Sequence, residues 1–261
     1  MGATVANQYF SGQGVLMLAT RDVDGKPEGF VPVGNVSALT VGIATTEFKH
    51  KESTSGVRGT DLTMIQEIAG TMNITMESLQ KDNLALALYG AAATKVGASA
   101  TAEMVKGYLG KYLALENIQV SNVVVKNTGG VITYELDKNY TVNAATGSIY
   151  IMPDAAQTAA GAVANITDAQ ALEIDYDYAE QDVVDALLSG DSPVRWARFE
   201  GLNTADGSKP VVVDCFKVGT KPLAELGLIN EELAQMTIEA EILSDSLRAT
   251  GSKYFSVKKI A

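Results

Sequence analysis

Between residues 71 and 77 the chain alternates without a break. Thr71, Asn73, Thr75 and Glu77 fall on one side of an extended backbone, and Met72, Ile74 and Met76 on the other. Successive side chains of a strand point to opposite faces, so this spacing predicts a strand with one apolar and one wet face. The same period recurs at 172–178 and at 236–243, where Thr237, Glu239 and Glu241 take the polar positions. Less regular apolar runs predict strands at 15–20, 30–41, 62–79, 118–126, 131–136, 140–143, 148–152, 194–202, 210–218 and 253–259. Turn chemistry separates them: Asp24-Gly25, Thr128-Gly129-Gly130 and Thr204-Ala205-Asp206-Gly207. Helical spacing is rare. Leu84, Ala85 and Leu88 predict a short helix at 80–89 that stops at Gly90, and 182–188 reads as another. Residues 1–13 read as an arm, 91–106 as a loose small-residue connection, and 154–167 as an alanine-rich loop.

One segment breaks the pattern. Residues 45–60 include Glu47-Phe48-Lys49-His50-Lys51-Glu52-Ser53-Thr54-Ser55-Gly56 and then Arg58, with no apolar period of any kind. They read as a long charged loop between two strands that a far shorter turn would join. Hairpin loops usually have about two to five residues, so a loop this long points to contact with another molecule.

The expected fold is therefore mainly β, a sandwich or barrel with a short flanking helix, the long inter-strand loop and an inserted small β unit. The insertion is placed at 128–180, between a main β domain formed by 1–127 and 181–261.

Composition narrows the function. Hydrophobic residues make up 46% of the 261 and charged ones 20%, enough for a real core. The 24 glycines against 6 prolines suit many strands and turns. A net charge of −11, with lysines and arginines scattered singly, disfavours tight binding to nucleic-acid phosphates. The apolar run at 15–19 is far too short to span a membrane. A single cysteine, Cys215, excludes an internal disulfide framework and fits a reducing cytoplasm. Among apolar neighbours it reads as a buried strand residue and not a nucleophile.

The search for chemistry finds little. His50 is the sole histidine and lies between two lysines in the charged loop, so no histidine-rich metal site or histidine-based triad can be assembled. Asp175 and Asp177 alternate with Tyr176 and Tyr178 as in an ordinary half-exposed strand, without the spacing of a calcium loop. Gly12-Gln13-Gly14 lacks the context of a nucleotide-binding fingerprint. Tyr134, Tyr140 and Tyr150 read as core aromatics before a ligand platform, and Trp196 with Arg195 and Arg198 is a weak base-stacking cluster. The expectation is a protein that is not an enzyme, with no catalytic, cofactor or metal site.

Several blocks resemble the major tail tube proteins of long-tailed bacteriophages. They are Val33-Gly34-Asn35-Val36-Ser37-Ala38-Leu39 leading to His50-Lys51-Glu52-Ser53 and Ser55-Gly56-Val57-Arg58, and 71–79 followed by Asn83-Leu84-Ala85-Leu86-Ala87-Leu88. Also similar are Asp137-Lys138-Asn139-Tyr140-Thr141-Val142, Ala145-Thr146-Gly147-Ser148-Ile149, and the strand around Glu239-Ala240-Glu241-Ile242-Leu243. The resemblance implies hexameric rings whose inner sheets join into one barrel and stack into a tube that conducts DNA into the host. It implies a virion protein assembled in the host cytoplasm. Its partners would be itself and other tail proteins (tape measure, tail terminator, and distal tail or baseplate proteins), with no membrane. Genomic DNA would pass through the lumen without specific binding. It assigns ring-to-ring contact to the loop residues Glu47, Phe48, Lys49, His50, Lys51, Glu52 and Arg58. Thr71, Asn73, Thr75, Glu77, Thr237, Glu239 and Glu241 suit the lumen, where carboxylates repel phosphates over a screening length of about 10 Å at 0.1 M salt. The insertion is expected on the outside. Two other readings stand beside this one: the tube-forming component of a bacterial contractile secretion system, and a carbohydrate-binding or adhesin-like module built on the tyrosine-rich unit.

Overall fold

A computed structural model describes residues 9–54, 56–188 and 192–260. The expected arm at 1–13 lies outside them except for 9–13. In chain order the elements are β1 Gly12–Ala19, β2 Val31–Pro32, β3 Val36–Lys51, β4 Thr60–Met76, α1 Lys81–Ala87, β5 Ala91–Lys95, β6 Ala98–Gly107, β7 Tyr112–Ala114 and β8 Val120–Asn127. They continue as β9 Tyr140–Asn143, β10 Ser148–Ile151, α2 Asp154–Ala159, β11 Gln170–Tyr178, β12 Gln181–Asp185, β13 Val194–Asn203, β14 Lys209–Thr220, β15 Met236–Ile242 and β16 Phe255–Lys259. The chain is mainly β, as the alternation predicts, and forms two compact units. One comprises 1–92 with 184–261, the other 93–183.

In the first unit the sheet order is β2-β1-β13-β14-β15-β4-β3, with β16 added to β14. Strand β14 serves two partners along its length. Val211 to Cys215 pair with β16, and Val218 to Thr220 with β15. The apolar faces of the two halves pack on each other. Leu16, Ala197, Cys215 and Val218 share one core with Met72, Ile74, Met76, Ile238, Ala240 and Ile242. Fully burying each large aliphatic contributes about 1.5–3 kcal/mol. The arrangement is sandwich-like, with no closed barrel among the described residues. The predicted Asp24-Gly25 turn is present, with Gly25 at φ +77° and its N–H donating to the Asp22 carbonyl. Helix α1 buries Leu86 and Ala87, and buried Asn83 donates to the Val33 and Ser78 carbonyls.

Half of the expected loop at 45–60 is strand. Thr45 to Lys51 belong to β3 and pair with β4 from Ile68 back to Thr60, leaving only 52–59 as connection. Every described residue of 43–51 and 60–68 is exposed. Alternation marks a strand only where one face is buried, and this ribbon has neither face buried, so its sequence carries no period. Of the residues expected to make ring-to-ring contact, Glu47, Phe48, Lys49, His50 and Lys51 are thus strand residues and Glu52 and Arg58 lie in the connection, while Ser55 is outside the described residues.

The second unit begins at 93, not 128. Strand β11 pairs with both β6 and β8, which draws residues before 128 into this unit. A second three-stranded sheet, β7-β10-β9, completes it. One core joins Val120, Val125, Tyr134, Tyr140, Ile149, Ile151, Ile166, Leu172, Ile174 and Tyr176. The expected loose connection at 91–106 is two strands, specified by ladders and not by apolar spacing. The helix expected at 182–188 is instead β12, paired with β5 in a two-stranded sheet at the point where the chain passes between the units. Residues 131–136 make only isolated bridges, at Thr133 and Leu136, and 154–159 form α2 within the expected loop. Buried Gln157 accepts from Asn139 Nδ2 and the Ile166 N–H and donates to the Met152 carbonyl.

Candidate functional site: a polar face and a protruding hairpin

The two polar triplets read separately from the sequence meet in the structure. Strands β4 and β15 run antiparallel with Thr237 opposite Thr75, Glu239 opposite Asn73 and Glu241 opposite Thr71. Directly opposed residues share a face, so all six lie together, with Glu77 one step further. The other face of the same strands is core: Met72, Ile74, Met76, Met236, Ile238, Ala240 and Ile242 are all buried. Register follows from that contrast, because a one-residue slip would bury the carboxylates and expose the core.

Neighbours extend the face. Thr40 of β3 pairs with Asn73, which adds a third strand. The Thr75 and Thr237 hydroxyls are 3.2 Å apart, and Gln235 Nε2 donates to Glu77 Oε1 at 3.2 Å. Lys221, one residue beyond β14, places its ammonium 3.3 Å from Glu241 and 3.8 Å from Glu239. No local signal in the sequence marks Lys221. It arrives because Thr220 pairs with Ala240, and the Lys221 N–H donates to the Glu239 carbonyl. The face thus carries three carboxylates, Glu239 and Glu241 beside the Lys221 ammonium and Glu77 at its far end, leaving the patch mildly acidic.

The hairpin of β3 and β4 continues this sheet beyond its core. Ile43 and Gly70 are the last pair of the core-facing row next to the body, and past them Ile65, Ile68, Leu62, Met64 and Phe48 are exposed. His50 Nδ1 lies 2.6 Å from Asp61 Oδ1, and Lys49 pairs with Glu47 at 3.4 Å. Two strands alone are only marginally stable in water, and exposed β edges invite pairing. This ribbon exposes apolar and charged side chains on both faces.

A family model matches residues 9–258, nearly the whole described chain. The chain belongs to that family, described as Protein of unknown function UCP028589. No curated protein matches it.

Elsewhere in this family member the other candidate residues are structural, and the buried Trp196 Nε1 has no hydrogen-bond partner among the described residues. Cys215 is 1% exposed, and burial, with Asp214 adjacent, pushes its thiol up to about 12, as suits a core residue. An open cavity of about 550 Å³ between the sheet halves is lined by Leu16, Leu39, Val41, Met72 and Phe199. Its only ionisable lining group is the Cys215 thiol. Asp175 is tied to Lys126 and the Ala102 N–H, and Asp177 to Asn122 and Ser99. Tyr134 and Tyr140 are core residues, so they cannot form a platform with Tyr150. The ring Tyr150 does meet is Tyr112, 74% exposed and 5.0 Å away between centroids. Trp196 packs edge-on against Phe216, and Arg198 is engaged by Glu200 and Asp214, which removes the base-stacking cluster. Among the described residues no helix is long and apolar enough to cross a membrane.

Proposed function

We propose that this protein is a tail tube subunit of a long-tailed bacteriophage, forming hexameric rings that stack into a conduit for DNA. The observation that carries the proposal is the β4–β15 register, which gathers Thr71, Asn73, Thr75, Thr237, Glu239 and Glu241 on one face. A lumen that passes DNA needs a polar wall that does not hold phosphates, and mild acidity supplies that through short-range repulsion. Supporting it, β3 is a 16-residue strand at the edge of the sheet, and joining such edges between copies would close the sheets into one barrel. The exposed hairpin is the natural ring-to-ring contact, in agreement with the resemblance of its sequence to tail tube proteins. The contractile-secretion tube shares these features and is separated from the phage reading by the genes that surround this one.

Negative-stain electron microscopy of the purified protein, concentrated and aged near physiological salt, tests the proposal. Hollow tubes with a regular axial repeat and six-fold rings are expected, and persistent monomers overturn it.

A second reading has its own observation. On the second unit, exposed Tyr112 beside half-buried Tyr150 offers sugar-stacking surface. A glycan array on wild type and Tyr112→Ala decides it: binding that depends on Tyr112 favours a carbohydrate-binding module.

A further inference from the structure

The first unit carries two exposed patches at opposite ends of one strand, and their chemistry is complementary. At the Thr60 end of β4, the hairpin tip presents Phe48, Leu62 and Met64 together with Lys51 and Arg58, which have no ion-pair partner among the described residues. At the Met76 end lies the segment 221–235 that joins β14 to β15, since Met236 pairs with Met76. That segment holds Leu228 at 85%, Ile229 at 98% and Leu233 at 82% exposure, interleaved with Glu225, Glu231 and Glu232. These three carboxylates also lack an ion-pair partner among the described residues. Three nearly naked aliphatics in one segment are unusual for a surface that faces only water.

We infer that the hairpin tip of one copy docks on residues 225–233 of a second copy, head to tail along the strand axis. The inference deepens the tube reading and rests on it, naming the surface that receives the hairpin. The 17 residues of β4 span roughly 50 Å at about 3.3 Å per residue, so a tip cannot reach the segment of its own chain. Donor and acceptor patches are different surfaces. Their contact is heterologous, and each bound copy leaves a free tip at one end and a free segment at the other. Lys51 and Arg58 meet Glu225, Glu231 and Glu232 while the aliphatic groups of both patches leave water together. The charges set register and encounter, and the apolar contact supplies most of the affinity.

Charge exchange tests the pairing. Lys51→Glu with Arg58→Glu, and separately Glu231→Lys with Glu232→Lys, should each abolish tubes seen by electron microscopy. All four substitutions in one chain should restore them. In a second experiment, Arg58→Cys and Glu232→Cys proteins are mixed under mild oxidation, Cys215 being buried. A disulfide-linked dimer on a non-reducing gel is expected from the mixture and not from either protein alone. If wild type forms tubes but the reversed variants do too, or the four-fold variant stays unassembled, or no cross-link forms, the docking site is wrong and the tube reading stands. A wild-type chain that never assembles overturns both.

Discussion

Glu239 lies opposite Asn73 across the β4–β15 ladder, although the two are far apart in the chain. Each was a polar position in its own alternating strand. Their pairing turns two half-wet strands into one continuous polar surface backed by a fully buried apolar one.

Reversing charge on that surface should separate assembly from transport. Glu239→Lys with Glu241→Lys puts two ammonium groups beside Lys221 on a face that makes no core contacts. Tubes should still form in the microscope. Infectivity of phage complemented with the variant should fall, because cations on a lumen wall hold DNA phosphates. Unchanged infectivity would place this face outside the lumen.

Shortening the hairpin should leave the fold intact. Replacing 47–66 by a two-residue Asn-Gly turn keeps the Thr46–Glu67 pair and removes described residues that are all exposed except half-buried Glu52. Circular dichroism and melting temperature should stay close to wild type while tube growth is lost. Long tubes from this variant would remove the hairpin from assembly.

Ile238→Ala empties a fully buried position between the sheet halves. A cost of roughly 2–5 kcal/mol is expected from lost transfer energy and the cavity left behind. Denaturant titration reads it as a lower midpoint with unchanged slope.

In the second unit, Gln157→Ala strands the Ile166 N–H and carbonyl in the core and removes the donor to the half-buried Met152 carbonyl. Each stranded group costs about 1–3 kcal/mol, so this variant should lose more stability than its side-chain volume suggests. Native-state hydrogen exchange around Ile166 should show the loss first.

The second unit should also weaken at both extremes of pH. Lys126 and the Ala102 N–H hold the Asp175 carboxyl below its usual range, Asn122 and Ser99 do the same for Asp177, and Lys138 and the Val163 N–H for Glu135. For a depressed carboxylate the folded state releases its proton more readily. The resulting stability is present above about pH 4 and is lost as pH falls through the lower folded values. Burial and the hydrogen bond to Glu103 push the Tyr176 hydroxyl up to about 12. That contribution is present below about pH 10 and is lost as pH rises toward 12. Melting temperature against pH, read by a probe in this unit, should fall on both flanks. A flat acid flank would mean the carboxylate contacts do not persist in solution.

The period-two strands were legible from sequence because each has one buried face. Thus 71–77, 172–178 and 236–243 appear nearly as predicted, and the Asp24-Gly25 and Thr204–Gly207 turns are where their residue types demand. The failures share a cause. In 45–51 nothing covers either face, in 91–106 small residues pack with little apolar signal, and at 182–188 an acid-flanked Val-Val pair reads equally as helix or strand. In each case the strand exists because a distant partner supplies its hydrogen bonds.

By itself, then, the sequence determined which residues must leave water and which turns must bend, because side-chain hydrophobicity and backbone freedom are local properties. Which strands neighbour each other was decided only by the tertiary structure. That includes the meeting of Glu239 with Asn73, the arrival of Lys221, the assignment of 93–127 to the second unit and the uncovered length of the hairpin. Ladder pairing spends backbone hydrogen bonds that every residue owns alike, so the choice among partners falls to the packing of whole faces, which no local window contains.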